Sequence, residues 1–177
     1  MKKKYFIFLI LFSSTFILNA LYFYNTAHGS TIILQKPNQI FGVGDEFSVP
    51  VTVETNGDEI NAISLDITFS DNTLSVARIL YGNSVVSYWI EAPHVSGNAV
   101  LLSGIIPGGY KETIDPLTNK SIPSTVAQIV FKVDKPGVGK IDFSDARSYL
   151  NDSKGAESKI ITSPLILFFS EKGLNNN

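Results

Sequence analysis

The chain has 177 residues, of which 44% are hydrophobic and 17% charged, and its formal net charge is −2. So high an apolar share excludes a disordered chain, and the small net charge gives no reason to expect a nucleic acid partner, whose binding needs clustered Lys and Arg. There is no cysteine, which excludes a disulfide framework, a thiolate zinc site and a cysteine nucleophile. The length suits one compact domain behind a short N-terminal segment.

The N-terminal segment has the pattern of an export signal. Three lysines at positions 2–4 precede an apolar run over residues 5–24, interrupted at 13–15 and at Asn19. A basic start followed by an apolar stretch is typical of a segment that enters the membrane from the cytoplasmic side. Two interpretations stay open: a cleaved signal peptide, with Ala27 and Gly29 spaced like a cleavage site, or a retained anchor, since about 20 residues span a bilayer.

Either interpretation predicts that the N-terminal segment contacts the membrane and that the domain lies outside the cytoplasm, secreted or anchored. The predicted division of the chain is 1–29 as signal peptide or membrane anchor, 30–170 as the domain, and 171–177 as a polar tail.

Apolar residues in the remainder of the chain recur at every second position, which is the period of a half-buried β-strand. The clearest series are Phe47, Val49, Val51 and Val53; Ile63, Leu65, Ile67 and Phe69; and Ala127, Ile129, Phe131 and Val133. Turn residues separate these segments, and residues 115–123 are expected to form a long loop. Eight to ten strands without intervening helices predict an all-β antiparallel sandwich with Greek-key or jelly-roll connections.

Four segments, in chain order, resemble the cohesin family. They are a Gly-Asp turn leading into a strand with an internal proline at 43–51, a strand and turn at 60–74, a strand ending in Pro-Gly-Gly at 102–110, and the closing strands with an Asn-Asp-x-x-Gly turn between 126 and 155. The resemblance covers roughly Thr31 to Phe169. It implies a nine-stranded jelly roll, shared with the cellulose-binding modules of the same superfamily. It also implies a non-catalytic binding role at the cell surface or in a polysaccharide-degrading assembly, with a dockerin-like exported protein as partner.

Two binding hypotheses follow for one face of the sheet. In the first, a protein partner contacts a flat face with an aromatic anchor and a polar rim. In the second, exposed aromatic rings stack on a polysaccharide, with Trp89 as the only tryptophan. Neighbouring strand residues point to opposite sides, so Tyr88 and Trp89 cannot both lie on this face. The candidate residues are Ser64, Asp66, Thr68, Tyr88 or Trp89, and Leu101.

Catalytic chemistry and cofactors are not expected. The only histidines are His28 and His94, and no Gly-x-Ser-x-Gly motif accompanies His94 to suggest a serine nucleophile. The carboxylates that a glycosidase would need are scattered over turns and outward strand positions. Asn151 and Asp152 are predicted to form a hairpin turn, with a single weak calcium site as the alternative, because the EF-hand spacing is not met.

Overall fold

The alternating apolar segments of the sequence form strands in a computed structural model that describes residues 29–171. Residues 1–28 and 172–177 lie outside this range, and with them almost all of the predicted signal or anchor segment and of the polar tail. No helix within the described range is long and apolar enough to cross a membrane.

Between residues 29 and 171, nine strands have five or more residues, as the cohesin resemblance implies, and five shorter segments accompany them. In chain order the strands are β1 (Ser30–Leu34), β2 (Phe41–Gly42), β3 (Glu46–Glu54), β4 (Ile60–Phe69), β5 (Leu74–Leu80), β6 (Tyr88–Ser96), β7 (Ala99–Tyr110), β8 (Thr113–Ile114), β9 (Ser121–Ile122), β10 (Ser124–Val133), β11 (Gly137–Leu150), β12 (Glu157–Ser158), β13 (Ile160–Thr162) and β14 (Leu165–Ser170).

The strands form two facing sheets, so the predicted β-sandwich is confirmed. The smaller sheet has the order β13-β1-β3-β10-β5, and the larger has the order β2-β14-β11-β4-β7-β6, with β12 paired beside β11. Most neighbouring strands are antiparallel, while β1 with β13 and β2 with β14 are parallel. Strands β8 and β9 pair only with each other and form a separate hairpin.

The core lies between the inner faces of the two sheets. The three series picked out by their alternation are buried there, at 6% exposure or less. One end of the core is aromatic: Phe47 lies 4.8 Å from Phe41, 5.8 Å from Phe131 and 5.6 Å from Phe169, measured between ring centroids. These rings come from both sheets and join them. Burying each large apolar side chain contributes about 1.5–3 kcal/mol to folding.

Several boundaries differ from the sequence-based expectation. The segment 115–123, expected to be a long loop, contains strand β9 and the turn that joins it to β8. The Pro-Gly-Gly segment, expected to be a turn, continues β7, where Gly108 and Gly109 have φ of 84° and 80° and the register with β4 shifts. Strand β11 runs from Gly137 to Leu150 and is longer than the apolar alternation of its sequence indicates. Its extra length has a direct consequence for the candidate site.

Candidate binding face

The candidate face is the outer side of the larger sheet, away from the core. Residues directly opposite each other on neighbouring antiparallel strands share one side of the sheet, so the register defines rows across β11, β4, β7 and β6. Four rows point outward, and in order along the strands they are Tyr149, Ala62, Ile105 and Tyr88; Arg147, Ser64, Ser103 and Glu91; Asp145, Asp66, Leu101 and His94; and Asp142, Thr68, Ala99 and Ser96. We call these residues the outer face.

The register places five of the six candidate residues together on the outer face and turns the sixth away. Tyr88 lies opposite Ile105 and is 63% exposed. Trp89 lies opposite Gly104 on the inner side, where it packs against the edge of the core and makes an edge-to-face contact with Tyr81 at 5.5 Å. Of the neighbours Tyr88 and Trp89, Tyr88 is therefore the one that this face presents, and the choice left open by the sequence falls on it.

Gly104 explains how Trp89 can take its inner position. A Cβ atom at residue 104 would lie 2.8 Å from the carbonyl oxygen of Tyr88 and 3.2 Å from Cε3 of Trp89, and would also collide with Val86. Only glycine leaves room for the indole ring and Val86 to cover this part of β7.

Two carboxylates meet in the third row of the outer face. Asp66 and Asp145 are directly opposite each other on β4 and β11, an arrangement that destabilises a sheet when both are charged. Asp145 is compensated by Arg147, whose Nε lies 3.0 Å from Oδ2 of Asp145. None of the ion pairs in the described part of the chain includes Asp66. The row is therefore a negative site beside the apolar side chain of Leu101.

The fourth row borders a polar groove at one end of the sheet. The groove has a volume of 490 Å³, and its lining includes Asp71, Asn98, Lys140 and Asp142. The ammonium group of Lys140 lies 2.6 Å from Oδ2 of Asp142. This hydrogen bond, together with one from the N–H of Phe143, holds the pKa of Asp142 below its ordinary value despite partial desolvation.

Sequence reasoning missed the contribution of β11 to this face. Asp145, Arg147 and Tyr149 alternate with Ala146 and Ser148, which point inward. Because these inward residues are small or polar, the segment lacks the apolar alternation that marks the other strands. The polar alternation of residues 145–149 was the only available signal.

Asn151 and Asp152 lie in the turn between β11 and β12, and the predicted hairpin turn is confirmed. Oδ1 of Asp152 accepts hydrogen bonds from the N–H groups of Lys154 at 2.9 Å and Ala156 at 3.2 Å, which lower the pKa of Asp152. The side-chain amide of Asn151 donates to Oε1 of Glu59 at 2.5 Å. Oδ1 of Asp152 thus stabilises the turn.

The described residues hold no cluster of side chains that could bind a metal ion. No three His, Asp or Glu side chains converge within residues 29–171. His94 lies on the exposed strand β6, with Nδ1 3.0 Å from the carbonyl oxygen of Ala92 and Nε2 3.7 Å from Oε1 of Glu91. Its contacts are those of a surface side chain.

Fold and face together define a jelly-roll sandwich with one open, chemically mixed sheet face, and solved structures place that fold among the cohesins. A non-cellulosomal cohesin from the archaeon Archaeoglobus fulgidus matches with a TM-score of 0.59 and 20% identity, over 82% of this chain and 94% of that one. The seventh ScaB type I cohesin of Pseudobacteroides cellulosolvens matches with a TM-score of 0.62 and 12% identity, over 84% and 97%. The OlpA cohesin–dockerin complex of Clostridium thermocellum matches with a TM-score of 0.58 and 18% identity, over 80% and 99%.

These similarities establish the fold, and they confirm the cohesin-like jelly roll expected from the four sequence segments. A scan against protein-family models finds no match, and a search of curated proteins finds no similar sequence.

Proposed function

We propose that this chain is an exported, non-catalytic binding module that holds a dockerin-like protein partner on its outer face. The observation that supports this most is the four-row outer face, where aromatic, aliphatic and charged side chains lie side by side on an open sheet. Interfaces between proteins combine such anchors with a polar rim. The dockerin class of partner is suggested by the C. thermocellum complex, in which the same fold binds a dockerin.

The rows specify what the partner should present. Tyr88 and Ile105 are neighbours in the first row, and Leu101 is the apolar residue of the third. A partner with an apolar ridge would cover these side chains. The opposed carboxylates of Asp66 and Asp145 would be relieved by a lysine or arginine of the partner. The expected partner is therefore an exported protein with an apolar strip flanked by basic residues.

The proposal is tested by immobilising the chain and capturing proteins of the native cell envelope that bind to it. Titration of the purified partner then gives the Kd. Tyr88→Ala and Leu101→Arg should each weaken binding by about 2 kcal/mol or more, which is roughly thirtyfold in Kd. Matched controls are Ile161→Ala and Leu80→Arg, which change aliphatic residues that are 50% and 47% exposed on the smaller sheet. Equal loss in the control variants, or no loss in Tyr88→Ala and Leu101→Arg, would contradict the proposal.

Asp66→Asn separates binding from folding. Removing one of two opposed carboxylates should leave the melting temperature unchanged or higher, because it relieves repulsion within the sheet. The same change should weaken the binding of a basic partner and reduce the salt dependence of that binding. A loss of binding that tracks a loss of stability would identify Asp66 as a structural residue only.

The polysaccharide hypothesis has weaker support. Trp89, on which it depended, packs on the inner side of the sheet. The outward tyrosines Tyr88 and Tyr149 are separated by two strands, roughly 14 Å at about 4.8 Å per strand spacing, with Ile105 and Ala62 between them. Retention of the chain on an insoluble polysaccharide, abolished by Tyr88→Ala, would revive this hypothesis.

A further inference from the structure

The β8–β9 hairpin carries an apolar tip that the binding face does not use. Leu117 at its apex is 94% exposed, and Ile114 and Ile122 on its two strands are 47% and 49% exposed. The two strands pair only with each other, at Thr113 with Ile122 and Ile114 with Ser121. The hairpin thus presents apolar side chains to its surroundings without covering them against the sandwich.

The apex of the hairpin is a turn held by hydrogen bonds. Oδ1 of Asp115 accepts the N–H of Leu117 at 2.8 Å, and Oδ2 accepts the hydroxyl of Thr118 at 2.8 Å. The N–H of Asn119 donates to the carbonyl of Asp115 at 2.8 Å, and Asn119 has a φ of 53°. These bonds fix Leu117 at the apex, so little conformational entropy is lost when this side chain is buried by something else.

The base of the hairpin is tied to the point where the described chain begins. Glu112, directly before β8, accepts the N–H groups of Thr55 and Gly57 through its carboxylate, both at 2.8 Å. Between these two residues, the side-chain amide of Asn56 donates to the carbonyl of Gly29 at 2.5 Å. The hairpin and Gly29 therefore lie at the same end of the sandwich.

The chain before Gly29 indicates what the apex meets. The apolar run ends at Tyr24, five residues before Gly29, and Leu117 is five residues beyond Glu112. An extended chain spans at most about 3.3–3.6 Å per residue, so five residues span no more than roughly 17 Å in either segment. If the apolar run lies in a bilayer, that bilayer surface is within reach of the hairpin apex.

Charge does not favour this contact. Lys111 and Lys120 are exposed at the two sides of the hairpin and suit lipid phosphates, but Asp58 and Glu59 lie at the same end and Asp115 lies at the apex. The apolar apex is the feature that favours a lipid surface over water.

We infer that the β8–β9 hairpin is a membrane-contact element, with Leu117 entering the headgroup region of the bilayer that holds the N-terminal segment. The inference rests on the export part of the proposed function and on the retained-anchor interpretation of the N-terminal segment, and not on the outer face. It gives the domain two attachments to the membrane, which would fix the orientation of the sandwich.

Fluorescent labelling of the full chain in vesicles of phosphatidylcholine and phosphatidylglycerol tests the inference. Because the chain has no cysteine, Leu117→Cys creates a single site for an environment-sensitive label. Ile40→Cys is the matched control, since Ile40 is an aliphatic residue 89% exposed just before β2, at the opposite end of the sandwich. Unchanged Trp89 fluorescence verifies that each variant is folded.

The label at residue 117 should shift to shorter wavelength and be quenched by lipids brominated near the glycerol end of the acyl chain, as expected at a depth of roughly 5–10 Å. The label at residue 40 should do neither. Equal behaviour of the two labels would overturn the inference. Shielding of the label at residue 117 that depends on protein concentration and not on brominated lipid would also overturn it, because the apex would then contact a second copy of the chain. Partner binding measured on the same vesicles reports separately on the outer face.

Discussion

The carboxylate of Glu112 offers the sharpest test of how the hairpin end of the domain is held together. Glu112 is 8% exposed, and its two oxygens each accept one backbone N–H group from the turn between β3 and β4. That turn needs two consecutive residues with positive φ, Asn56 at 52° and Gly57 at 94°. Replacing Glu112 with alanine removes both acceptors and should destabilise the whole domain.

The cost can be estimated from the two N–H groups. Thr55 is fully buried, so its N–H would be left without a partner, at about 2 kcal/mol. Gly57 is exposed, so water can replace the carboxylate there, and the loss is about 1 kcal/mol. Glu112→Ala should therefore lower the free energy of unfolding by about 3 kcal/mol. Glu112→Gln keeps one acceptor oxygen and should cost about half as much.

Urea unfolding of the full chain in mild detergent, followed by the fluorescence of Trp89, measures these differences. Glu157→Ala is the control, because Glu157 is an exposed glutamate on the short strand β12. It should change stability by less than about 0.5 kcal/mol. If Glu112→Ala falls within that same margin, the carboxylate does not hold the turn, and the link between Gly29 and the hairpin base would need another explanation.

Three further changes test other parts of the structure. Gly104→Ala should lower the free energy of unfolding by about 1–3 kcal/mol in the same urea assay, because the added methyl group meets Val86 and backbone that cannot move aside. Ser148→Ala should raise it by about 1 kcal/mol, since the hydroxyl is buried without a partner among the described residues, and a decrease would contradict this. Lys140→Met should raise the pKa of Asp142 in an NMR titration. The native pKa of Asp142 is lowered, so its pair with Lys140 stabilises the parent protein at a pH above the unfolded-state pKa of about 3.9. This stabilisation is lost as the pH falls through the native pKa of Asp142. An unshifted Asp142 pKa in the variant would refute the assignment.

The sequence predicted the sandwich because its central strands bury one full apolar face. Strands β3, β4 and β10 alternate large apolar residues with polar ones, and that period is enough to define which side faces the core. Strand β11 carries Ala146 and Ser148 at inward positions, and its length came instead from pairing with β4 and β14. Long-range pairing of this kind leaves no local pattern, so the quarter of the outer face that β11 contributes could not be predicted.

Two other features depended on tertiary contacts. Alternation showed that Tyr88 and Trp89 point to opposite sides, but only the register with Gly104 and Ile105 decides which of them faces out. Residues 115–123 were expected to form a loop because their polar, proline-containing sequence is typical of turns. Strand β9 within this segment has only two residues, too few to show an alternating pattern. The shape of the β8–β9 hairpin depends on Asp115 and on the distant turn that binds Glu112.

The two proposals together determine how a bound partner would be oriented. The row of Tyr149 and Tyr88 lies at the end of the strands nearest Gly29, and the row of Asp142 and Thr68 lies at the far end. Adjacent rows are two residues apart along each strand, so the four rows span roughly 20 Å. With both Gly29 and the hairpin at the membrane, the strands would run away from the bilayer and the outer face would stand beside the domain. A partner would then meet the aromatic row close to the membrane and the acidic row farther out. If a labelled partner instead reported equal depth for both rows, the sandwich would have to lie on its side, and the hairpin could not be its second attachment.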